Sequence, residues 1–299
     1  MVLDALELPS AKLNLLPASD LFSGAGDLPL LECISPKCTA LIALQGAQVL
    51  SFCPEGENDL LWLSPLESFV AGKAIRGGIP LCLPWFGVNR REPDLAKHGF
   101  ARHQSWVLEN VAEADDGNLV LNFSFQPSAA DLALFPWPFS AQLEVSLGES
   151  LQLSLTMSNS GVAAMPLSFA MHSYFAVAAL DKLALKGVSG AEYLDNCRQL
   201  ARFQQDEALR FNVEIDRVYE GLGGEQQLCD TARTMTVTGS GCDTVVVWNP
   251  GEALAKNMAD VGEHFSEYLC VERGMAFADE LQLAPGQQHV AIMTVAKAC

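Results

Sequence analysis

Two titratable residues interrupt otherwise apolar stretches of this chain. His172 lies within PLSFAMHSYFAV (166–177), and Glu272 lies within EYLCVERGMAF (267–277). A buried histidine needs a hydrogen-bond partner, and its pKa is easily moved across the physiological range. Burial raises the pKa of a carboxyl group towards the value that suits a general base. Each residue also has an ordinary structural explanation, since core histidines are common and Glu272 could face solvent or pair with Arg273.

A second candidate region is the segment RGGIPLCLPWFGVNRREPDLAKHGFAR, residues 76–102. The chain carries 36 acidic against 18 basic residues, yet residues 73–102 contain six basic residues and only two acidic ones. The six are Lys73, Arg76, Arg90, Arg91, Lys97 and Arg102. A net charge of −18 would repel an anion, so this local reversal favours a site for an anionic group. A solvated basic loop is the competing explanation.

Composition limits the possible partners. A chain of 299 residues with 49% hydrophobic and 18% charged residues suits a folded protein with a large core. The acidic balance argues against nucleic acid and membrane surfaces as partners. The N-terminus lacks a basic stretch followed by an apolar core, and no run of about 18 apolar residues occurs. Nine scattered cysteines form no CxxC pair, so we expect a reducing, cytoplasmic location and no zinc site.

Period-two alternation of apolar residues predicts β-strands over much of the chain. It predicts a strand at 119–125 and a hairpin formed by 143–147 and 151–157. Short β-branched runs at 245–248 and 290–295 predict buried strands. The clearest helix is a short one, SAADLALF at 128–135.

No linker, composition break or repeat divides the sequence, and neither GxGxxG nor GxxxxGK[ST] occurs. We therefore predict an all-β fold, a large antiparallel β-sandwich that forms a single domain over residues 1–299.

Five segments in order resemble one enzyme family. They are RGGIPLCLPWFG (76–87), KHGFAR (97–102), MHSYF (171–175), DTVVVWNP (243–250) and CVE (270–272). In these segments the chain resembles the hexose-6-phosphate mutarotases (glucose-6-phosphate 1-epimerases) of the aldose-1-epimerase superfamily. This resemblance spans an aldose-1-epimerase-like core at about 30–295 and implies a β-sandwich of the galactose-mutarotase type. It also implies interconversion of α and β anomers of hexose 6-phosphates by ring opening and closure, with no cofactor and no metal.

The resemblance also implies roles for individual residues. His172 corresponds to the general acid at the ring oxygen, and Glu272 to the general base at the anomeric hydroxyl. The residues expected to bind the sugar and its phosphate are Arg76, Lys97, His98, Arg102 and Asp243. Near neutral pH we expect His172 to be protonated and Glu272 to be ionised, because those states suit their roles.

Two positions depart from the family pattern, Arg273 after CVE and His103 after HGFAR. An inward-pointing Arg273 would lower the pKa of the neighbouring base. Two other functions remain open, a mutarotase for unphosphorylated aldoses and a noncatalytic carbohydrate-binding β-sandwich. In each case the expected partner is a small molecule. The sequence does not determine the oligomeric state, and it is compatible with a monomer.

Overall fold

The computed structural model describes residues 5–206, 208–211 and 213–298. Within these ranges the chain is built mainly from short β-strands. The strands are β1 (Ala5–Glu7), β2 (Lys12–Pro17), β3 (Pro29–Ile34), β4 (Cys38–Ala43), β5 (Gln48–Pro54), β6 (Leu81–Cys82), β7 (Val107–Glu113), β8 (Leu119–Phe125), β9 (Phe139–Leu147), β10 (Leu151–Asn159), β11 (Met165–Leu167), β12 (Phe169–Met171), β13 (Tyr174–Ala176), β14 (Ala184–Lys186), β15 (Glu192–Asp195), β16 (Ala201–Gln204), β17 (Leu209–Arg210), β18 (Ile215–Tyr219), β19 (Gln226–Cys229), β20 (Thr234–Ser240), β21 (Thr244–Asn249), β22 (Tyr268–Met275), β23 (Leu281–Leu283) and β24 (Gln288–Lys297).

The helices in the described ranges are short. The α-helices are α1 (Ala18–Leu21), α2 (Ala129–Leu134) and α3 (Gly251–Ala255), and 3-10 helices span Ala101–His103, Leu180–Lys182, Asn196–Arg198, Gly262–Glu267 and Phe277–Asp279. The predicted helix corresponds to α2, which begins at a capping box: the Ser128 hydroxyl accepts from the Asp131 N–H, and the Asp131 carboxylate accepts from the Ser128 N–H. No helix in the described part of the chain is long and apolar enough to cross a bilayer.

Two large antiparallel sheets form the sandwich, as predicted. One has nine strands in the order β17-β14-β19-β20-β24-β10-β9-β8-β7. The other has eight, in the order β16-β15-β18-β21-β22-β12-β6, with β13 also paired to β22. Strands β1 to β5 make a separate sheet in sequence order, and β11 pairs with β23.

The predicted hairpin is β9 and β10, with Leu147 opposite Leu151. Alternate residues of β9 are buried, and they pack in one core with inward residues of the eight-stranded sheet such as Val245 and Val271. Strand β21 is buried on both faces, as its apolar run predicts, whereas β24 buries only alternate residues, because a single face of it meets the core. The second buried face of β21 belongs to the side of the sheet that carries the candidate site.

Candidate active site

A cavity of about 1040 Å³ opens against the eight-stranded sheet, on the face turned away from the sandwich core. Its lining includes both candidate catalytic residues, His172 and Glu272, and residues of the basic segment 76–102. Ligand sites are typically concave and combine apolar walls with a few convergent polar groups. This cavity therefore locates the candidate site.

The pairing of three strands brings His172 and Glu272 together. Met171 at the end of β12 lies opposite Arg273, and Tyr174 at the start of β13 lies opposite Cys270. These registers place His172, in the short gap between β12 and β13, directly opposite Glu272. Directly opposed residues of antiparallel strands project from the same face. His172 Nε2 consequently lies 3.3 Å from Glu272 Oε1.

Alternation along β22 separates Glu272 from its neighbour Arg273. Glu272 faces the cavity, whereas Arg273 points into the layer between the two large sheets and is fully buried. There the Arg273 guanidinium donates to the carbonyl oxygens of Cys242, Gly223 and Gly224 and to Oε1 of Gln226. The departure from the family pattern at Arg273 thus places no cation beside the carboxylate.

The His172–Glu272 pair is buried and incompletely hydrogen-bonded. The exposed fractions of the two residues are 7% and 1%. In the described part of the chain, Glu272 Oε2 has no hydrogen-bond partner, and His172 Nδ1 has none outside its own residue. Burial raises the pKa of Glu272 well above its ordinary value, and the Asp216 carboxylate adds to this. Burial, then His98, Arg102 and Arg76, lower the pKa of His172.

These shifts differ from the protonation states expected from the sequence. The sequence predicts an imidazolium and a carboxylate, but burial of the two side chains disfavours both charges. The pair is better described as holding one proton between its two members over a wide pH range. Its net charge is then zero, whichever residue carries the proton.

The basic segment reaches the cavity on closely packed glycines. Gly78 and Gly99 have φ of +61° and +65°. A Cβ would lie 2.1 Å from the Val49 carbonyl oxygen at Gly78 and 2.0 Å from the Leu83 carbonyl oxygen at Gly99. No side chain fits at these points, so the RGG and HGFAR motifs need glycine there. The two glycines hold the chain where neighbouring cations can line the cavity.

Three predicted binding residues of the HGFAR element line the cavity: Lys97, His98 and Arg102. The Gly87 N–H donates to His98 Nδ1 at 3.4 Å, and burial is the main cause that lowers the His98 pKa to about 3, so this imidazole is neutral. Arg102 Nη2 donates to the Lys97 carbonyl oxygen at 3.2 Å, and its Nε is buried without a partner in the described ranges. Arg102 therefore has donor capacity left for a ligand.

Arg76 also lines the cavity, but its bonds to protein groups are already extensive. Its Nε lies 2.8 Å from Asp260 Oδ2, and its Nη1 donates to the Tyr174 hydroxyl at 3.0 Å. Two of its three nitrogens are thus occupied. Arg102 is the better candidate for a bidentate contact to phosphate.

The prediction that Asp243 holds sugar hydroxyls is not compatible with where the residue lies. Asp243 is exposed, stands just before β21 and is not among the cavity residues. Among the carboxylates that line the cavity is Asp216 of β18, which the sequence patterns did not indicate. Asn196 Nδ2 donates to Asp216 Oδ2 at 2.6 Å, and burial raises the Asp216 pKa. Its alternation with Ile215 in IDRVY is a weak signal that could have indicated a strand residue facing a site.

Two aromatic residues of the site were also missed. The Tyr174 ring stacks on the His172 ring, with centroids 4.8 Å apart and an interplanar angle of 9°. Trp248 meets His172 edge to face at 6.1 Å. His103, the other departure from the family pattern, is half-buried outside the cavity lining, so it does not contact this site.

Among the described residues, no three His, Cys, Asp or Glu side chains come together as a possible metal site. What the cavity offers is an adjacent pair of groups that can donate and accept a proton, cations from the basic segment and the Asp216 carboxylate of β18.

Comparison with known proteins identifies the family. The sequence profile of the family described as Aldose 1-epimerase matches residues 29–296. A protein of Cenchrus ciliaris named "Putative glucose-6-phosphate 1-epimerase" is 36% identical over 263 residues, which are 84% of this chain and 79% of that relative.

Solved structures agree with this match. The "putative mutarotase (YeaD) from Salmonella typhimurium" superposes with a TM-score of 0.86 at 30% identity, covering 98% of this chain and 95% of the other. The galactose mutarotase related enzyme of Lactobacillus acidophilus, 13% identical, shares the fold with a TM-score of 0.71 over 90% of this chain and 97% of its own. The chain therefore belongs to the aldose 1-epimerase family, and it is an epimerase with the β-sandwich of the galactose mutarotases.

Proposed function

We propose that this protein interconverts the α and β anomers of hexose 6-phosphates without a cofactor, with His172 and Glu272 as the proton-transfer groups. The observation that carries the proposal is the 3.3 Å contact between His172 Nε2 and Glu272 Oε1 in the cavity. Ring opening takes a proton from the C1 hydroxyl and delivers one to the ring oxygen. These two oxygens are bonded to the same carbon, so two adjacent acid–base groups can serve both.

Free rotation about the C1–C2 bond and closure on the other carbonyl face complete the exchange. The protons then return to the groups that held them, and the enzyme is ready for the next cycle. A positioned acid or base contributes roughly 10²- to 10⁴-fold to a rate, so this pair accounts for a substantial acceleration. The shared proton fits the reaction, because each step needs one group with a proton and one without.

The order of residues across the sheet matches the order of groups along the substrate. His172 lies between β12 and β13, Glu272 lies on the adjacent β22, and Asp216 lies on β18, beyond β21. On the other side of His172 the HGFAR segment follows β6 and provides Arg102. A hexose 6-phosphate placed with its phosphate at Arg102 brings its ring oxygen to His172, C1 to Glu272, and the C2 and C3 hydroxyls towards Asp216.

The phosphate end of this arrangement rests on electrostatics. Arg102 has an unsatisfied buried donor, and Lys97, whose backbone carbonyl accepts from Arg102, also lines the cavity, in a protein whose overall charge would otherwise repel an anion. A mutarotase of unphosphorylated aldoses would not need these cations. A noncatalytic binding protein would not need a buried, partly unsatisfied His–Glu pair, which is costly to the fold.

Exchange NMR on glucose 6-phosphate and on glucose, with and without the protein, tests the proposal. We expect faster anomer exchange on both sugars at high concentration, with a kcat/KM that is larger for the phosphorylated one. Equal kcat/KM values would assign the protein to unphosphorylated aldoses. Binding without any acceleration would identify a noncatalytic carbohydrate-binding protein.

A further inference from the structure

The orientation of His172 has an unusual origin. A catalytic histidine is commonly fixed by a hydrogen bond from its second ring nitrogen to a carboxylate or carbonyl group. Here Nδ1 has no partner outside its own residue in the described ranges. Apart from the Glu272 contact at Nε2, the ring is held by contacts with neighbouring rings, above all the parallel stack on Tyr174 at 4.8 Å.

Tyr174 is itself held at its far end. It is 2% exposed, it lies at the start of β13, and its hydroxyl accepts from Arg76 Nη1 at 3.0 Å. The Arg76 guanidinium is in turn fixed by Asp260, 2.8 Å from its Nε. Burial raises the pKa of Tyr174, so the phenol stays neutral and accepts this bond.

We infer that Asp260, Arg76 and Tyr174 form a positioning relay that fixes the ring plane of the catalytic His172. The main role of Arg76 is then in this relay and not in binding phosphate. This inference rests on the proposed function, because it assigns the relay to the acid–base pair of that function. It makes Arg76 and Tyr174 positioning residues and leaves Arg102 as the guanidinium for phosphate.

The relay also connects the acid–base pair to the segment that follows α3. Asp260 follows α3, and its carbonyl oxygen accepts from the Ser64 hydroxyl at 2.7 Å, which attaches this segment to the loop before Arg76. Side-chain rings have little freedom once one face is stacked and the far end of the stacking partner is bonded. Loss of any member should let the His172 ring rotate away from Glu272.

Tyr174→Phe is the sharpest test, because it keeps the stacked ring and removes only the acceptor of the Arg76 bond. We expect kcat to fall roughly tenfold with KM nearly unchanged, since a hydrogen bond to a charged group is lost. Arg76→Met should give a similar loss on glucose 6-phosphate and on glucose. The double variant should lose no more than Arg76→Met alone, because both act through one relay.

Matched controls come from outside the cavity. Tyr219→Phe removes another buried tyrosine hydroxyl, bonded to Gln205, and Arg202→Met breaks another arginine–carboxylate pair, with Glu220. Both should leave kcat unchanged. A loss in Arg76→Met confined to the phosphorylated sugar, or additive losses in the double variant, would overturn the relay and make Arg76 a phosphate-binding residue.

A measurement without substrate separates this inference from the proposed function. The groups around His172 are His98, Arg102, Arg76 and Glu272. In the free protein, imidazole NMR should show a higher His172 pKa in Arg76→Met, since a nearby cation is lost, and altered ring shifts in Tyr174→Phe. Unchanged spectra in both variants would refute the relay even in an active enzyme, whereas changed spectra in an inactive one would refute only the function.

Discussion

Two adjacent residues of β22 carry buried charges in opposite surroundings. Arg273 lies between the sheets, where three backbone carbonyl oxygens and the Gln226 side chain accept from its Nε and Nη1, while its Nη2 has no partner in the described ranges. Glu272 lies against the cavity, where one oxygen contacts an imidazole that can itself titrate and the other has no partner in the described ranges. The first charge is fixed by permanent dipoles, and the second depends on a proton that can move.

This difference separates a structural charge from a reactive one. Groups that accept from Arg273 are satisfied only while the arginine remains, so it stabilises the fold. The incompletely satisfied carboxylate costs stability, and its pKa is raised for the same reason. Substitutions on the two faces of one strand should therefore affect different properties.

The largest effect is expected from removal of the reactive pair. Glu272→Gln and His172→Asn should each lower the rate of anomer exchange by a factor of about 10² or more, because each removes one proton-transfer group. The melting temperature of Glu272→Gln should be unchanged or higher, since a costly buried carboxyl is lost. Exchange NMR and thermal unfolding measure the two outcomes.

Arg273→Met is the counterpart on the opposite face. It removes the donor to two buried acceptors, the Cys242 carbonyl oxygen and Gln226 Oε1, at about 1–3 kcal/mol for each unsatisfied group, so urea unfolding should show a clear loss of stability. The kcat of the protein that remains folded should be close to normal. If Arg273→Met lost activity while keeping its stability, the division between the two faces would be wrong.

A smaller effect should distinguish Arg102 from the residues of the pair. Arg102→Ala should weaken binding of glucose 6-phosphate roughly ten- to a hundredfold, because a charge-assisted hydrogen bond is lost, and should affect glucose much less. Arg90→Ala is a control, since Arg90 is an exposed cation at the cavity mouth. Equal losses of Arg102→Ala on both sugars would mean that Arg102 organises the fold.

The smallest of the expected effects concerns the pH dependence of anomer exchange. A solvent-exposed pair would lose the imidazolium above about pH 6.5. In this buried pair, uptake of a second proton is opposed by burial, His98, Arg102 and Arg76, so the acidic limb should lie well below 6.5. Loss of the shared proton leaves a buried carboxylate, so the basic limb should move upward.

The rate should therefore be level through pH 6.5 and fall only outside a broad plateau. In Arg102→Ala both limbs should shift to higher pH, because Arg102 lowers the pKa of both groups. A decline in rate centred near pH 6.5 in the unmodified protein would instead show that His172 titrates independently, as an exposed histidine does.

Much of the architecture could be predicted from the sequence, because strand alternation is a local property. The β9–β10 hairpin, the strand at 119–125 and α2 with its Ser128 cap all follow from short-range patterns. His172 and Glu272 could be selected because a titratable residue inside an apolar run is conspicuous. Their roles came from the family resemblance and remain proposals.

What the sequence did not predict depends on pairing between distant strands. Asp243 lies just before β21 and Asp216 lies within β18, and only the register of β18, β21 and β22 decides which of them faces the cavity. The direction of Arg273 likewise follows from the face of β22. The neutral state of the acid–base pair depends on burial by residues far apart in the chain.

The linear arrangement of the site across neighbouring strands has a consequence for how this family could diversify. Phosphate, ring oxygen, anomeric carbon and remote hydroxyls are each proposed to meet a different chain segment. Substitutions in β18 could then change which sugars are accepted at C2 and C3, and substitutions in the HGFAR segment could change the group tolerated at C6. Because the proposed proton-transfer groups lie on β22 and in the β12–β13 gap, substrate range could be altered from either end of the site while the reaction itself is conserved.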